Sequence, residues 1–231
     1  MKAIDLPIGF EKEVLFSLDG FSAQLCCSTE SLAIAQQLRY QAYVEAGLIP
    51  ENDKQALSDA FDTQQNTRTH LIWQHGVPIA TVRSNIWSAD YNWETTEGIT
   101  SFWQDVHRKI GLEKTIIESN RFATAPQLSG RDSLRAQIFL FRVQDLNAQY
   151  EQCDHVITAV RKKHLPFYQR MLAFCPISEE KYYPWLEEDV VLLATGAAES
   201  RSIIQQKGMP MVSTAEVQRY ADLVTEKRPL I

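Results

Sequence analysis

TIIESNRFATAPQLSGRDSLRAQIFLFRVQDLNAQY (residues 115–150) is the stretch whose reading decides the fold. Residues 115–123 are apolar and β-branched at their start, and alternation predicts a strand with Ile116 and Glu118 on one face and Ile117 and Ser119 on the other. The loop at residues 125–132 carries Pro126 and Gly130, which break regular structure. Residues 133–150 then show helical spacing, and Leu134, Ile138, Phe141 and Leu146 are expected on the buried side. A carboxylate in a core strand that runs through a glycine-containing loop into a long helix is the pattern around which the rest is arranged.

Outward from this unit, the elements alternate. A strand is expected at residues 22–27, with Ser28 or Thr29 capping a helix that runs through Tyr43. Leu32, Ala35, Leu38 and Ala42 recur at helical spacing, and Arg39 and Tyr43 lie one turn apart. A polar loop over residues 50–66 leads to strands at 69–74 and 78–85, joined by His75 and Gly76 at hairpin spacing. A helical region is expected over 97–110. Beyond the central unit come a strand at 155–161, a short helix at 165–174, a strand at 190–195, and helices within 197–206 and 214–226. The order β-α-β-β-(α)-β-α-β-α-β predicts an α/β fold: a mixed twisted sheet with helices on both faces. One domain over residues 1–231 is expected, with 197–231 as a helical appendage.

Composition narrows the function classes. The 231 residues are 45% hydrophobic, ample for a large core, and the formal charge of −6 gives no global footprint for nucleic acid. Asp5, Glu11 and Glu13 interrupt any signal-peptide core, and no apolar run spans a bilayer, so a cytoplasmic location without integral membrane contact is expected. Four cysteines without C-x-x-C spacing read as reduced thiols, and the five histidines lack ligand spacing, so no metal is expected.

Five fragments, in order, resemble the acyl-homoserine-lactone synthases and the related N-acyl amino acid synthases, which share the GNAT-like acyltransferase fold. Arg39-x-x-x-Tyr43 resembles the Arg and aromatic residue of their first helix, and Asp59-x-x-Asp62 their paired aspartates. Arg83 resembles the arginine that ends their hairpin, and Glu118-x-x-Arg121-Phe122 is similar to their E-x-x-R-F strand. The lactone synthases carry a Trp soon after the first-helix aromatic, near their S-adenosylmethionine site, whereas Ile49 stands there in this chain. The chain therefore resembles the N-acyl amino acid synthases, which acylate a free amino acid, at least as well.

Acyl transfer from a thioester to an amine needs a deprotonated nucleophile and a slot that aligns both reactants. Glu118 is the candidate base; the alternative is a buried ion-pair partner of Arg83 or Arg121. The resemblance assigns Arg39, Tyr43, Asp59, Asp62 and Arg83 to acceptor binding or loop ordering, with Arg83 the arginine best suited to an acceptor carboxylate. Donor binding is expected from Arg121, Phe122, Gly130, Arg131 and Arg135. The single glycine at Gly130, where many GNAT enzymes have two in their pyrophosphate loop, suits a phosphopantetheine arm on an acyl carrier protein better than coenzyme A. Arg131, Arg135 and Arg142, with Arg161, Lys162 and Lys163, form either a docking patch for that acidic carrier or a solvated face. Tyr168 either protonates the departing thiolate or packs in the core. Trp87, Tyr91, Trp93, Phe102 and Trp103 either line an acyl tunnel or are plain core. The expected activity is an N-acyltransferase moving a fatty acyl group from an acyl-phosphopantetheine thioester to the amine of an amino acid. A coenzyme A-dependent acetyltransferase of a small amine and a catalytically silent acyl-binding relative stay open.

Overall fold

Two tight hairpins begin the sheet, and both turn on residues with positive φ. The computed structural model describes residue 4 and residues 14–89, 96–183 and 188–226. Strands β1 (Val14–Leu18) and β2 (Phe21–Leu25) are joined by Asp19 and Gly20, with φ of 53° and 81°. Strands β3 (Thr67–Gln74) and β4 (Val77–Trp87) are joined by His75 and Gly76, at 48° and 85°. Paired positive φ values are what a two-residue turn needs to match strand twist. The second hairpin is the one expected; β1 is an addition to the expected order.

Helix α1 (Thr29–Glu45) starts at Ser28, whose side chain accepts from the Ser31 amide while Ser31 bonds back to the Ser28 amide. This closed capping box satisfies two otherwise orphaned donors. The region expected as one helix over 97–110 is two, α2 (Glu97–Ser101) and α3 (Trp103–Lys109), interrupted at Phe102. Strand β5 (Ile116–Thr124) and helix α4 (Gly130–Tyr150) form the central unit. Then follow β6 (His155–Val160), α5 (Leu165–Leu172), the short strands β7 (Cys175–Pro176) and β8 (Lys181–Tyr183), β9 (Glu188–Gly196), α6 (Ala197–Gln206) and α7 (Thr214–Glu226).

The sheet runs β1-β2-β3-β4-β5-β6-β9-β7, with β8 also paired to β9. Its one parallel pair among the described residues, β5 with β6, covers only Ile116–Glu118 against His155–Ile157. Both strands continue further, so they part after Glu118 and leave an opening in the sheet at that carboxylate. Helices lie on both faces. Leu71 and Trp73 pack with Ile34 and Leu38 of α1, whereas Ile72 and Val82 pack with Phe139, Leu140 and Val143 of α4. Alternation along β5 holds at its start: Ile116 joins the cluster of α2 and α3, and Ile117 that of Ala148 and Leu172.

Leu134 corrects the expected burial of α4. It is 45% exposed, and the buried stripe is Ala136, Phe139, Leu140, Val143 and Leu146. Helix α7 lies across this face and places Tyr220, fully buried, against His70 and Asn147 at 3.2 Å each. Among the described residues, no helix is long and apolar enough to cross a membrane, and no group of three or more His, Cys, Asp or Glu side chains could hold a metal ion.

Candidate active site

The spacing of Asp59 and Asp62 has a local cause. The two cap a single 3-10 turn (Ala60–Thr63): Asp59 Oδ1 accepts from the Phe61 amide at 2.9 Å, and Asp62 Oδ2 accepts from the Asp59 amide at 3.4 Å. Both carboxylates therefore face the sheet together. Asp62 Oδ1 meets Arg39 Nη1 at 2.6 Å and Arg83 Nη1 at 3.0 Å, while Asp59 bonds Arg83 through a short contact and Arg121 Nη2 at 2.7 Å. Glu97, at the start of α2, closes the cluster at 3.2 Å from Arg121 and 3.8 Å from Arg83. Three arginines and three carboxylates thus balance in charge, every side chain nearly solvent-free. Burial alone would raise the Asp59 carboxyl, but Arg83 and Arg121 outweigh it and hold its pKa at about 2; Asp62 is lowered in the same way by Arg39 and Arg83.

A bulge in β5 puts Arg121 into this cluster. Thr81 pairs with Ala123 and Arg83 with Asn120, so β5 spends one residue more than β4 over the same span. Arg121 takes that step at φ 49°, a left-handed conformation that costs a non-glycine residue about 1–3 kcal/mol. As a result Glu118 and Arg121 both reach α2, with Asn120 bonded to Glu118 and Arg83 on the same side, while Phe122 turns to pack its ring 5.4 Å from that of Phe141 on α4.

Glu118 stands apart from the cluster. Among the described residues, the ion pairs of Arg39, Arg83 and Arg121 go to Asp59, Asp62 or Glu97, and none goes to Glu118. The alternative in which Glu118 is their buried partner does not fit. Its carboxylate accepts from the Gly98 amide at 2.9 Å and from Asn120 Nδ2 at 3.0 Å. Burial raises its pKa, opposed by hydrogen bonds from Thr96, Asn120 and Gly98 and reinforced by neighbouring Glu97. Gly98 is where it is for space: a Cβ there would lie 2.8 Å from the Glu118 carboxylate.

Where β5 and β6 part, a cleft of about 510 Å³ opens, a volume typical of ligand sites. Glu118, Arg121 and Phe122 line it from β5, Tyr43 from α1, Tyr168 from α5 and Tyr183 from β8. Burial, together with Glu97 and Glu118, raises the Tyr183 hydroxyl, and burial first of all raises that of Tyr168, so both phenols stay protonated at neutral pH. A smaller, largely apolar side pocket with Leu172 and Phe174 adjoins the cleft at Phe141 and Tyr168.

Several expected positions lie elsewhere. Arg83 has no exposed side-chain surface and is not among the cleft-lining residues, so it does not reach an acceptor in this conformation; Arg39 is equally buried. Gly130, Arg131 and Arg135 also lie outside the lining. Arg135 leans over the Phe21 ring and toward Asp19 at 3.5 Å, on the first hairpin. Arg142 is buried, 2.8 Å from Glu216 and over the Phe16 ring, so the three α4 arginines do not make one solvent-facing stripe. Arg161 does line the cleft, paired with Glu188 at 3.3 Å. Trp87, Phe102 and Trp103 are away from the cleft, Trp87 edge-on to Trp103 and Phe102 in the α2–α3 core. Tyr91 and Trp93 fall outside the described residues. Glu97, Gly98, Asn120 and Tyr183 are site residues that the sequence did not single out. Thr96 followed by Glu97 is a recognisable helix start, but nothing in that signal says which strand the helix end meets.

The family model of the N-acyl amino acid synthase FeeM matches residues 34–196, most of the chain, including the arginine–carboxylate cluster, Glu118 and the residues that line the cleft. The chain belongs to the FeeM family. Among solved structures, FeeM from uncultured soil microbes is 17% identical with a TM-score of 0.67, covering 81% of this chain and 96% of its own. The acyl-homoserine-lactone synthase LasI is 16% identical with a TM-score of 0.62, covering 84% and 98%. BjaI, described as a coenzyme A-dependent acyl-homoserine lactone synthase with SAM and isopentyl-CoA, is 13% identical at 0.51, covering 82% and 90%. At these identities the structures speak for the fold, which is the GNAT-like acyltransferase fold. No curated protein matches the sequence significantly. As a member of the FeeM family the chain is an acyltransferase that moves an acyl group onto an amine.

Proposed function

We propose that this chain transfers a fatty acyl group from the phosphopantetheine thioester of an acyl carrier protein to the amine of a free amino acid, giving an N-acyl amino acid. The observation that carries the reading is Glu118: a carboxylate with raised proton affinity, held by neutral donors at the point where the sheet opens into the cleft. A base matched to an ammonium substrate works best when its pKa is moved toward the operating pH. In this reading Glu118 takes a proton from the acceptor ammonium, directly or through water. The freed nitrogen attacks the thioester carbon, the C–S bond breaks and Tyr168 supplies a proton to the departing thiolate, while the second proton shed by the acylated nitrogen returns through water to Tyr168 and Glu118 releases its own to solvent. Tyr43 borders the acceptor, the Asp59–Asp62 turn orders the site from behind through its ion pair to Arg121, and Arg121 and Phe122 border the donor arm.

Two features support the carrier protein as donor. The loop into α4 has one glycine, Gly130, with open space around it and no second close-approach glycine for a pyrophosphate. Arg161 lines the cleft and Lys162 and Lys163 follow it in the chain, a basic run that suits an acidic carrier able to displace the Arg161–Glu188 and Lys162–Glu180 pairs.

The test is mass spectrometry of lipid extracts from cells overproducing the wild type or Glu118→Gln, followed by assays of the pure enzyme with octanoyl-carrier protein and octanoyl-coenzyme A. A new N-acyl amino acid in wild type alone, made faster from the carrier, is the expected outcome. An acyl-homoserine lactone would replace the acceptor, a preference for coenzyme A would replace the donor, and full activity of Glu118→Gln would remove the base.

A further inference from the structure

Between the charge-balanced cluster and Glu118 stands one neutral side chain, Asn120. Its Oδ1 accepts from Arg83 Nε at 2.7 Å. An amide flipped end for end would set its NH₂ against the guanidinium N–H, so Arg83 dictates which way the amide faces. Its Nδ2 must then point the other way, where it donates to Glu118 Oε1 at 3.0 Å and to Asn85 Oδ1 at 2.9 Å. Asn85 is locked in turn, donating to Thr67 Oγ1 at 2.5 Å. Both amide protons of Asn120 are thereby spent at fixed positions. With the Gly98 amide on Oε2 and Asn120 on Oε1, both oxygens of Glu118 are held, Thr96 adding a third hydrogen bond, which fixes the plane of the carboxylate.

We propose that Asn120 is a positioning residue for the acyl transfer: it converts the fixed orientation of Arg83 into a fixed orientation of Glu118, and it takes the place beside the carboxylate that an arginine ion-pair partner would otherwise hold. This rests on Glu118 being the base. A direct arginine partner would make Glu118 a permanently ionised, weak base, like Asp59 and Asp62. A neutral donor favours the carboxylate by a smaller amount. The charged and titratable groups around Glu118 are Glu97 on α2, Tyr183 on β8, Arg83 on β4, Arg121 on β5 and Asp59 in the 3-10 turn, and Asn120 intervenes on the side of Arg83.

The experiment is a carbon-13 NMR titration of the full chain labelled at glutamate carboxyls, with the Glu118 signal assigned by its loss in Glu118→Gln. Asn120→Leu removes the donor, and Asn120→Asp keeps the size and the Arg83 contact but puts an acceptor where the donor was, so one tests the idea if the other fails to fold. The Glu118 midpoint is expected to rise by about one unit in Asn120→Leu, a tenfold change in proton affinity, and further in Asn120→Asp through coupling of two carboxyls. The acid limb of kcat/KM for the octanoyl donors should move with it. A Glu118 midpoint unmoved in a folded variant, or turnover reduced equally at every pH, would show Asn120 to be scaffold only. Undiminished turnover by Glu118→Gln would instead sink the base assignment and leave the NMR result standing, so the two failures are separable.

Discussion

Two kinds of buried carboxylate lie side by side in this protein, and they are treated in opposite ways. Asp59, Asp62 and Glu97 are each set against arginine, and at the two aspartates burial is outweighed by that charge, which holds them low. Glu118 is buried as deeply, receives only neutral hydrogen bonds, and is pushed up. The first kind is scaffold: it binds α1, the 3-10 turn, α2, β4 and β5 into one body. The second is kept out of that network, and in the proposed reaction this is what leaves it able to take a proton. The same desolvation that makes an unpaired acid costly makes it useful as a base.

The largest effect that would break this contrast is on the scaffold side. Arg83→Met leaves Asp59 and Asp62 short of a counter-charge, and chemical denaturation is expected to show a loss of about 3–5 kcal/mol. A loss within error would mean that the cluster relaxes into solvent. Next is the reactive side, approached without touching Glu118. Gly98→Ala forces the carboxylate to move, and kcat/KM should fall by about 10²-fold with the melting temperature nearly unchanged. Retained activity would show that the orientation of Glu118 is not critical. Tyr168→Phe is expected to lower kcat about tenfold, below the usual range for a general acid because a thiolate leaves with little help. An unchanged kcat would return Tyr168 to the core.

The smallest effect is the pH dependence of stability, and its two halves have opposite signs. Asp59 has its folded pKa lowered to about 2 from 3.8, so its contribution is fully present above pH 3.8 and fades as the pH falls toward 2. Glu118 has its folded pKa raised above 4.5, so its burial increasingly penalises the fold as the pH rises past 4.5. Denaturation of wild type and Glu118→Gln across pH 4–8 should show the difference moving in favour of the variant as pH rises. A difference flat in pH would mean that Glu118 titrates normally.

The second hairpin, α1, the β5–α4 unit and β9 were legible because each rests on local chemistry: a two-residue turn, a cap, an alternation, an apolar run. Asp19-Gly20 is as good a turn signal as His75-Gly76, but the residues before it, Val14–Leu18, form a short apolar run without alternation, which does not distinguish strand from helix. The arginines of α4 show the limit of spacing. Positions 131, 135 and 142 do share a helical face, but what that face meets is set by α7 and the first hairpin, which bury Arg142 under Glu216 and draw Arg135 to Asp19. In the site, the order of Arg39, Asp59, Asp62, Arg83, Glu118 and Arg121 was readable, whereas their pairing was not. Alternation alone would send Asn120 and Arg121 to opposite faces of β5; the bulge sends them to the same one. Glu97 was invisible for a similar reason, since it joins through a short helix whose docking has no local code.

That bulge has a use beyond the chemistry. At 16–17% identity to FeeM and LasI, residue matching carries little information. A left-handed arginine at the extra residue of a core strand, tied to acids from two other elements, is a geometric rarity that substitution elsewhere does not erase. As a template for searching structures it works by backbone angle and ion-pair pattern, two quantities that do not depend on alignment.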